Sequence, residues 1–137
     1  MNHQLNLITD PNFPLMKEGN YRVRISRASI TLGSDYNAYI KIILDVSGTA
    51  RKLIYNVCLD MNNEQETNNR LQALYNSFGI NYSEQDNLDS WKRKTGAVRI
   101  INKQYQGKTF AKIAFCLDKE YQKKLPKWKE VNFVNRK

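Results

Sequence analysis

One histidine, two cysteines and three prolines are all that 137 residues contain of these types. The histidine, His3, stands near the N-terminus and gives neither Cys58 nor Cys116 a base to work with, so a Cys–His nucleophile is not expected. A zinc site needs four good ligands, or three and a water, and this inventory falls short. No CxxC pair and no glycine-rich loop of the Walker or Rossmann kind is present. The acids Asp35, Asp45, Asp60, Glu64 and Glu66 are scattered, with no spacing that pairs carboxylates around a metal. The reading is therefore of no catalytic residue, no metal and no cofactor: a protein that is not an enzyme. No apolar run approaches the ~20 residues of a membrane span, and Met1–Asp10 lacks the charged start and apolar core of a secretory signal. A cytoplasmic protein without a membrane partner is expected. Both cysteines sit in apolar runs and are expected to be buried free thiols.

Acidic residues are also scarce. Thirteen Asp and Glu face 22 Lys and Arg, a formal net charge of +9. A surface so basic attracts polyanions at long range. Nucleic acid is the commonest such partner and anionic membrane the next, and a charge that merely solubilises is the plain alternative. The hydrophobic fraction, 41%, is that of a chain with a packed core.

Period-two alternation dominates the pattern. Tyr21, Val23 and Ile25 alternate with Arg22, Arg24 and Ser26, and the run continues through Ala28 and Ile30. Arg27 breaks the phase, which predicts a bulge near Ser26. After a turn over Thr31–Asn37, a second strand spans Ala38–Val46, with Ala38, Ile40, Ile42, Leu44 and Val46 on one face and Tyr39, Lys41, Ile43 and Asp45 on the other. A third runs from about Arg51 to Leu59, its phase ambiguous between Leu53, Tyr55, Val57 and Ile54, Cys58. Leu71, Leu74, Tyr75 and Phe78 follow helical spacing, and Gly79 ends the helix. A fourth strand, Ala97–Lys103, and a fifth, Lys108–Leu117, flank the turn Tyr105-Gln106-Gly107. Three strands, a helix and a closing pair of strands is the order of an OB-fold. The expected architecture is mainly β: residues 1–17 an irregular arm, 18–117 a single five-stranded OB barrel with a helix between strands three and four, and 118–137 a basic C-terminal tail.

Single strands are held by a basic groove along the backbone and by rings that stack on bases. Tyr39 and Lys41 share the polar parity of the second strand. Lys108, Phe110 and Lys112 share that of the fifth. Tyr36 and Tyr105 fall in the two hairpins that flank the binding face of an OB-fold. Arg22, Arg24, Lys41, Arg51, Lys52, Arg99, Lys108 and Lys112 are the candidates for phosphate contacts. Strand aromatics also serve packing alone, and Phe110 has a packing alternative under the tail against Trp128. Trp91, Tyr75 and Phe78 read as core. The cluster Lys92-Arg93-Lys94 either extends the groove or faces water.

The run Gly19-Asn20-Tyr21-Arg22-Val23-Arg24-Ile25, the strand Ala38–Val46, and Asn68-Asn69-Arg70-Leu71-Gln72-Ala73-Leu74-Tyr75 ending in Phe78-Gly79-Ile80 resemble a family of small bacteriophage single-stranded-DNA-binding proteins. Trp91, Thr95-Gly96-Ala97-Val98-Arg99-Ile100, Tyr105-Gln106-Gly107-Lys108 and Lys112-Ile113-Ala114-Phe115 carry the likeness further, over about Glu18 to Leu117. The motifs are structural glycines, core positions and a hairpin turn, and none marks chemistry. The resemblance implies an OB-fold homodimer that coats single-stranded DNA during phage replication or recombination, with a replication or recombination protein as a further partner. One departure stands out. Many replicative single-strand-binding proteins end in an acidic, partner-recruiting tail, whereas this chain ends in Lys127-Trp128-Lys129-Glu130 and Asn135-Arg136-Lys137.

Sequence-independent binding of single-stranded DNA is thus the leading expectation. RNA binding remains open, because stacking and phosphate contacts serve both polymers. A protein-interaction module acting on a host or replication partner also remains open, and in that reading the aromatics pack into the partner.

Overall fold

Alternating side chains along five long segments bury one face of an antiparallel sheet and leave the other for the site. The computed structural model describes residues 16–60 and 62–131, and the backbone of 7–8. In chain order the strands are β1 (Leu7–Ile8), β2 (Gly19–Leu32), β3 (Ala38–Val46), β4 (Lys52–Cys58), β5 (Thr95–Tyr105) and β6 (Lys108–Cys116), with helix α1 (Glu64–Phe78) between β4 and β5. In space the order is β1-β6-β5-β2-β3-β4. Every pairing is antiparallel. No ladder joins β1 to β4 among the described residues, so strand pairing leaves the sheet open. The two edges nonetheless approach each other, with Cα atoms of β1 within 8 Å of β4. His3, Leu5, Pro11, Phe13 and Pro14 of the N-terminal arm, like Asn135–Lys137, lie outside the described residues.

Strand β2 carries the expected bulge. Its register on β3 shifts between Ile25 and Arg27, leaving Ser26 as the extra residue. β2 pairs with β5 from Gly19 to Arg24 and with β3 from Val23 to Leu32, so the bend lets one strand serve both halves of the sheet. The β5–β6 turn has Gln106 and Gly107 at φ 51° and 78°, the two-residue form whose twist suits a hairpin.

The ambiguous phase of β4 resolves with Leu53, Tyr55 and Val57 inward and Ile54 and Cys58 outward. Burial raises the Tyr55 hydroxyl pKa well above the ordinary tyrosine range and pushes the Cys116 thiol up to about 12. Both cysteines are free thiols; Cys116 is buried and Cys58 half-buried.

Helix α1 starts at Glu64, several residues before its first apolar position at Leu71. Its first turns face water, so they show no apolar period. Glu64 and Glu66 lie in the first turn, where negative charge favours the helix dipole, and Glu66 pairs with Arg70 one turn on at 2.7 Å. Leu74 and Phe78 enter the core beside Trp91, Ile25 and Val98. After β6, residues 118–131 make a short 3-10 turn at Lys119–Gln122 and then run as an irregular strap across the sheet. No helix among the described residues is long and apolar enough to cross a membrane.

Candidate nucleic-acid interface

Antiparallel register sets side chains in rows on the face of the sheet opposite the core. Across β2, β3 and β4 the rows are Arg24–Asp45–Lys52, Arg27–Ile43–Ile54, Ser29–Lys41–Asn56 and Thr31–Tyr39–Cys58. Across β5 and β6 they are Arg99–Phe115, Ile101–Lys112, Lys103–Phe110 and Tyr105–Lys108. Aromatic and basic residues therefore interleave on the β5–β6 hairpin. Directly opposed residues on one face lie close enough to share a ligand.

Lys112 has an environment suited to an anion. Partial burial, then the nearby positive charges of Lys103 and Arg70, lower its pKa from the ordinary lysine value. A phosphate placed there would offset the repulsion among those three cations.

Tyr36 stands at the tip of the β2–β3 hairpin, 88% exposed, on a backbone at φ 66°. A tyrosine in the left-handed region costs about 1–2 kcal/mol. Its N–H donates to the Gly33 carbonyl at 3.0 Å, closing the turn.

Tyr39 differs from expectation. Parity places it on the outward face, yet it is only 6% exposed. The hairpin tip folds over it: its hydroxyl donates to Asp35 Oδ2 at 2.5 Å, and a Cβ on Gly33 would stand 2.5 Å from Cε1 of the ring. That hydrogen bond, with desolvation, raises the tyrosine pKa. In return the Asp35 carboxyl is held below its ordinary value, chiefly by the same bond. Tyr39 thus fastens the tip that presents Tyr36, and its own ring is not open for stacking.

Arg22 and Arg24 are also engaged, by the C-terminal strap. Arg22 donates from Nη1 to Gln122 Oε1 at 2.6 Å, from Nη2 to the Gln122 carbonyl at 3.2 Å and from Nε to the Pro126 carbonyl at 3.0 Å. Arg24 donates from Nη1 to Glu130 Oε2 at 2.5 Å, and its guanidinium lies 4.4 Å from the centroid of the Trp128 ring. The Trp128 indole N–H donates to the same Glu130 oxygen at 3.0 Å. These two bonds, the indole's first, hold the Glu130 carboxyl below its ordinary pKa. The phosphate role expected of Arg22 and Arg24 is taken, in this arrangement, by residues of the chain itself.

Lys52 pairs with Asp45 at 2.5 Å, and Arg99 donates to the Asn20 side chain at 3.4 Å. Arg51 and Tyr105 both have partners within the fold. Lys94 of the basic cluster turns to Glu84 at 3.2 Å. The register unites Lys108, Phe110, Lys112 and Tyr105 on one face, and Lys41 stands on that same side of the sheet. It adds four residues that the sequence did not mark as site candidates: Arg27, Ile54, Lys103 and Phe115. Phe115 belongs by alternation with Ala111 and Ile113, which are buried. A bulge at Ala114 turns it outward opposite Arg99, and it is 50% exposed. Among the described residues no three His, Cys, Asp or Glu side chains group as metal ligands. Compared with models of protein families and with curated proteins, the chain matches none.

Proposed function

We propose that this is a single-stranded nucleic-acid-binding protein of the OB type, with DNA the polymer that the phage-family resemblance implies. The carrying observation is the β5–β6 register, which sets Tyr105 and Phe110 among Lys103, Lys108 and Lys112 on one face. Rings accept bases of any identity, and lysines accept phosphates without reading sequence. Binding would therefore be sequence-tolerant and strongly dependent on salt. Support for the OB reading comes from the strand order, the bulged first long strand, the helix between β4 and β5, and the approach of β1 to β4. Tyr36 on the β2–β3 hairpin and the β5–β6 turn then flank the binding face, as the two loops of such a fold do.

Tyr36→Gly separates stacking from folding. Glycine removes the left-handed strain but adds entropy to the unfolded chain, and the two roughly cancel. The unfolding free energy from urea titration should change by no more than about 0.5 kcal/mol. Affinity for oligo-dT, read by fluorescence anisotropy, should fall about fivefold or more as one stacking contact is lost. Unchanged affinity would remove Tyr36 from the interface.

A further inference from the structure

The strap has two halves of different strength. Its first half is built into the core: Gln122 is buried, and its amide donates to the Ser77 carbonyl at 3.0 Å, to Ser77 Oγ at 3.1 Å and to the Leu117 carbonyl at 2.8 Å. The second half is held at the surface. Gly48 donates to the Lys129 carbonyl at 2.7 Å, Lys129 N–H to Ser47 Oγ at 2.8 Å, and Glu130, whose side chain is 63% exposed, accepts from Arg24. The first half thus depends on a buried amide, the second on contacts at the surface.

What that half presents to Arg24 has the two parts of a nucleotide. An aromatic ring lies over the guanidinium and an anionic oxygen accepts from it, as a base and a phosphate would. The position is also central. Along β2, Arg27 and the Lys41 row lie beyond Arg24 in one direction, while the Lys103, Phe110 and Lys112 rows lie beyond Gly19 in the other. A strand that joins the two groups along β2 passes Arg24. Beside the clasp is a groove of about 340 Å³, lined by Arg24, Asp45, Thr49, Lys52, Trp128 and Glu130 among others.

We propose that Trp128 and Glu130 form an autoinhibitory clasp, which occupies the Arg24 position of the nucleic-acid track and must open before a single strand can lie across the face. The inference rests on the single-strand reading above. A closed clasp lowers apparent affinity by the fraction of molecules that are open, so weakening it tightens binding. An ion pair at the surface and a half-buried cation–π contact are each modest. Glu130→Gln should therefore bind oligo-dT about two- to fivefold more tightly than the parent chain, and Trp128→Ala with Glu130→Gln about tenfold.

The test is oligo-dT anisotropy on the full chain and these two variants, with thermal unfolding to show that all three remain folded. Tryptophan emission gives a second readout, since Trp91 is fully buried and Trp128→Phe identifies the other signal. Trp128 emission should shift to the red as dT lifts the indole from Arg24. Tighter binding by both variants, with that shift in the parent chain, is the expected result. Binding that is unchanged or weaker in the variants, or that leaves Trp128 emission unmoved, overturns the clasp and leaves the single-strand reading standing. Absence of binding by all three overturns both.

Discussion

Trp91→Ala is expected to lower folding stability by about 3–5 kcal/mol, the cost of truncating a large buried aromatic. Trp91 has no exposed surface. Its ring meets Tyr75 of α1 edge-on, with centroids 6.1 Å apart and planes at 78°, and its Nε1–H donates to the Glu84 carbonyl at 2.9 Å. Alanine would leave a void between helix and sheet and cost that carbonyl one of its two donors, the Asn87 N–H at 3.0 Å remaining. A domain of ordinary stability, about 5–15 kcal/mol, would lose a fifth of it or more. Urea unfolding reads the effect as a lower midpoint at unchanged slope. Trp91→Phe should lose less, because it keeps most of the volume and forfeits the hydrogen bond. The rows that make up the proposed interface are on the other face of the sheet, so the folded fraction should bind oligo-dT as the parent does.

Phe110→Ala combined with Lys112→Gln is expected to weaken oligo-dT binding about 100-fold at low salt. Loss of one stacked base accounts for about 1–3 kcal/mol, and loss of one phosphate contact removes a charge-assisted bond and flattens the salt dependence. The stability effect should be small. Phe110 is only half-buried, and Lys112→Gln removes a cation whose charge is disfavoured where it stands. Anisotropy at two salt concentrations, beside a urea curve, separates the two effects. A variant that binds as the parent does would exclude the β5–β6 face from the interface.

How far the sequence revealed this arrangement depends on the range of each interaction. Parity along a single strand is local, and it placed Val23 and Ile25 inward, Ile40, Ile42, Leu44 and Val46 inward, and Lys41 outward. The disturbance at Arg27 is equally local, and the bulge at Ser26 follows from it. Phe115 shows the limit. Its outward turn comes from a bulge defined by two strands, so the alternation of β6 alone points the wrong way. Tyr39 has the parity expected of it, but whether a hairpin tip folds back over a ring depends on Gly33 and Asp35 and leaves no periodic trace. Arg22 and Arg24 are the furthest case. Their partners Gln122 and Glu130 stand 100 and 106 positions away in the chain, in a tail without a repeating pattern. A basic strand and a basic tail read as two anion-binding segments, whereas one acid and one ring in the tail bind the strand instead.

On this reading the face holds single strands through stacked bases and phosphates. Fluorescence anisotropy of labelled oligo-dT against the full chain, at low and moderate salt and with unlabelled duplex as competitor, tests it most directly. Saturable binding that weakens steeply as salt rises and that survives excess duplex is the expected result. Absence of binding at low salt, despite a net charge of +9, or displacement by duplex as readily as by unlabelled dT, would contradict it.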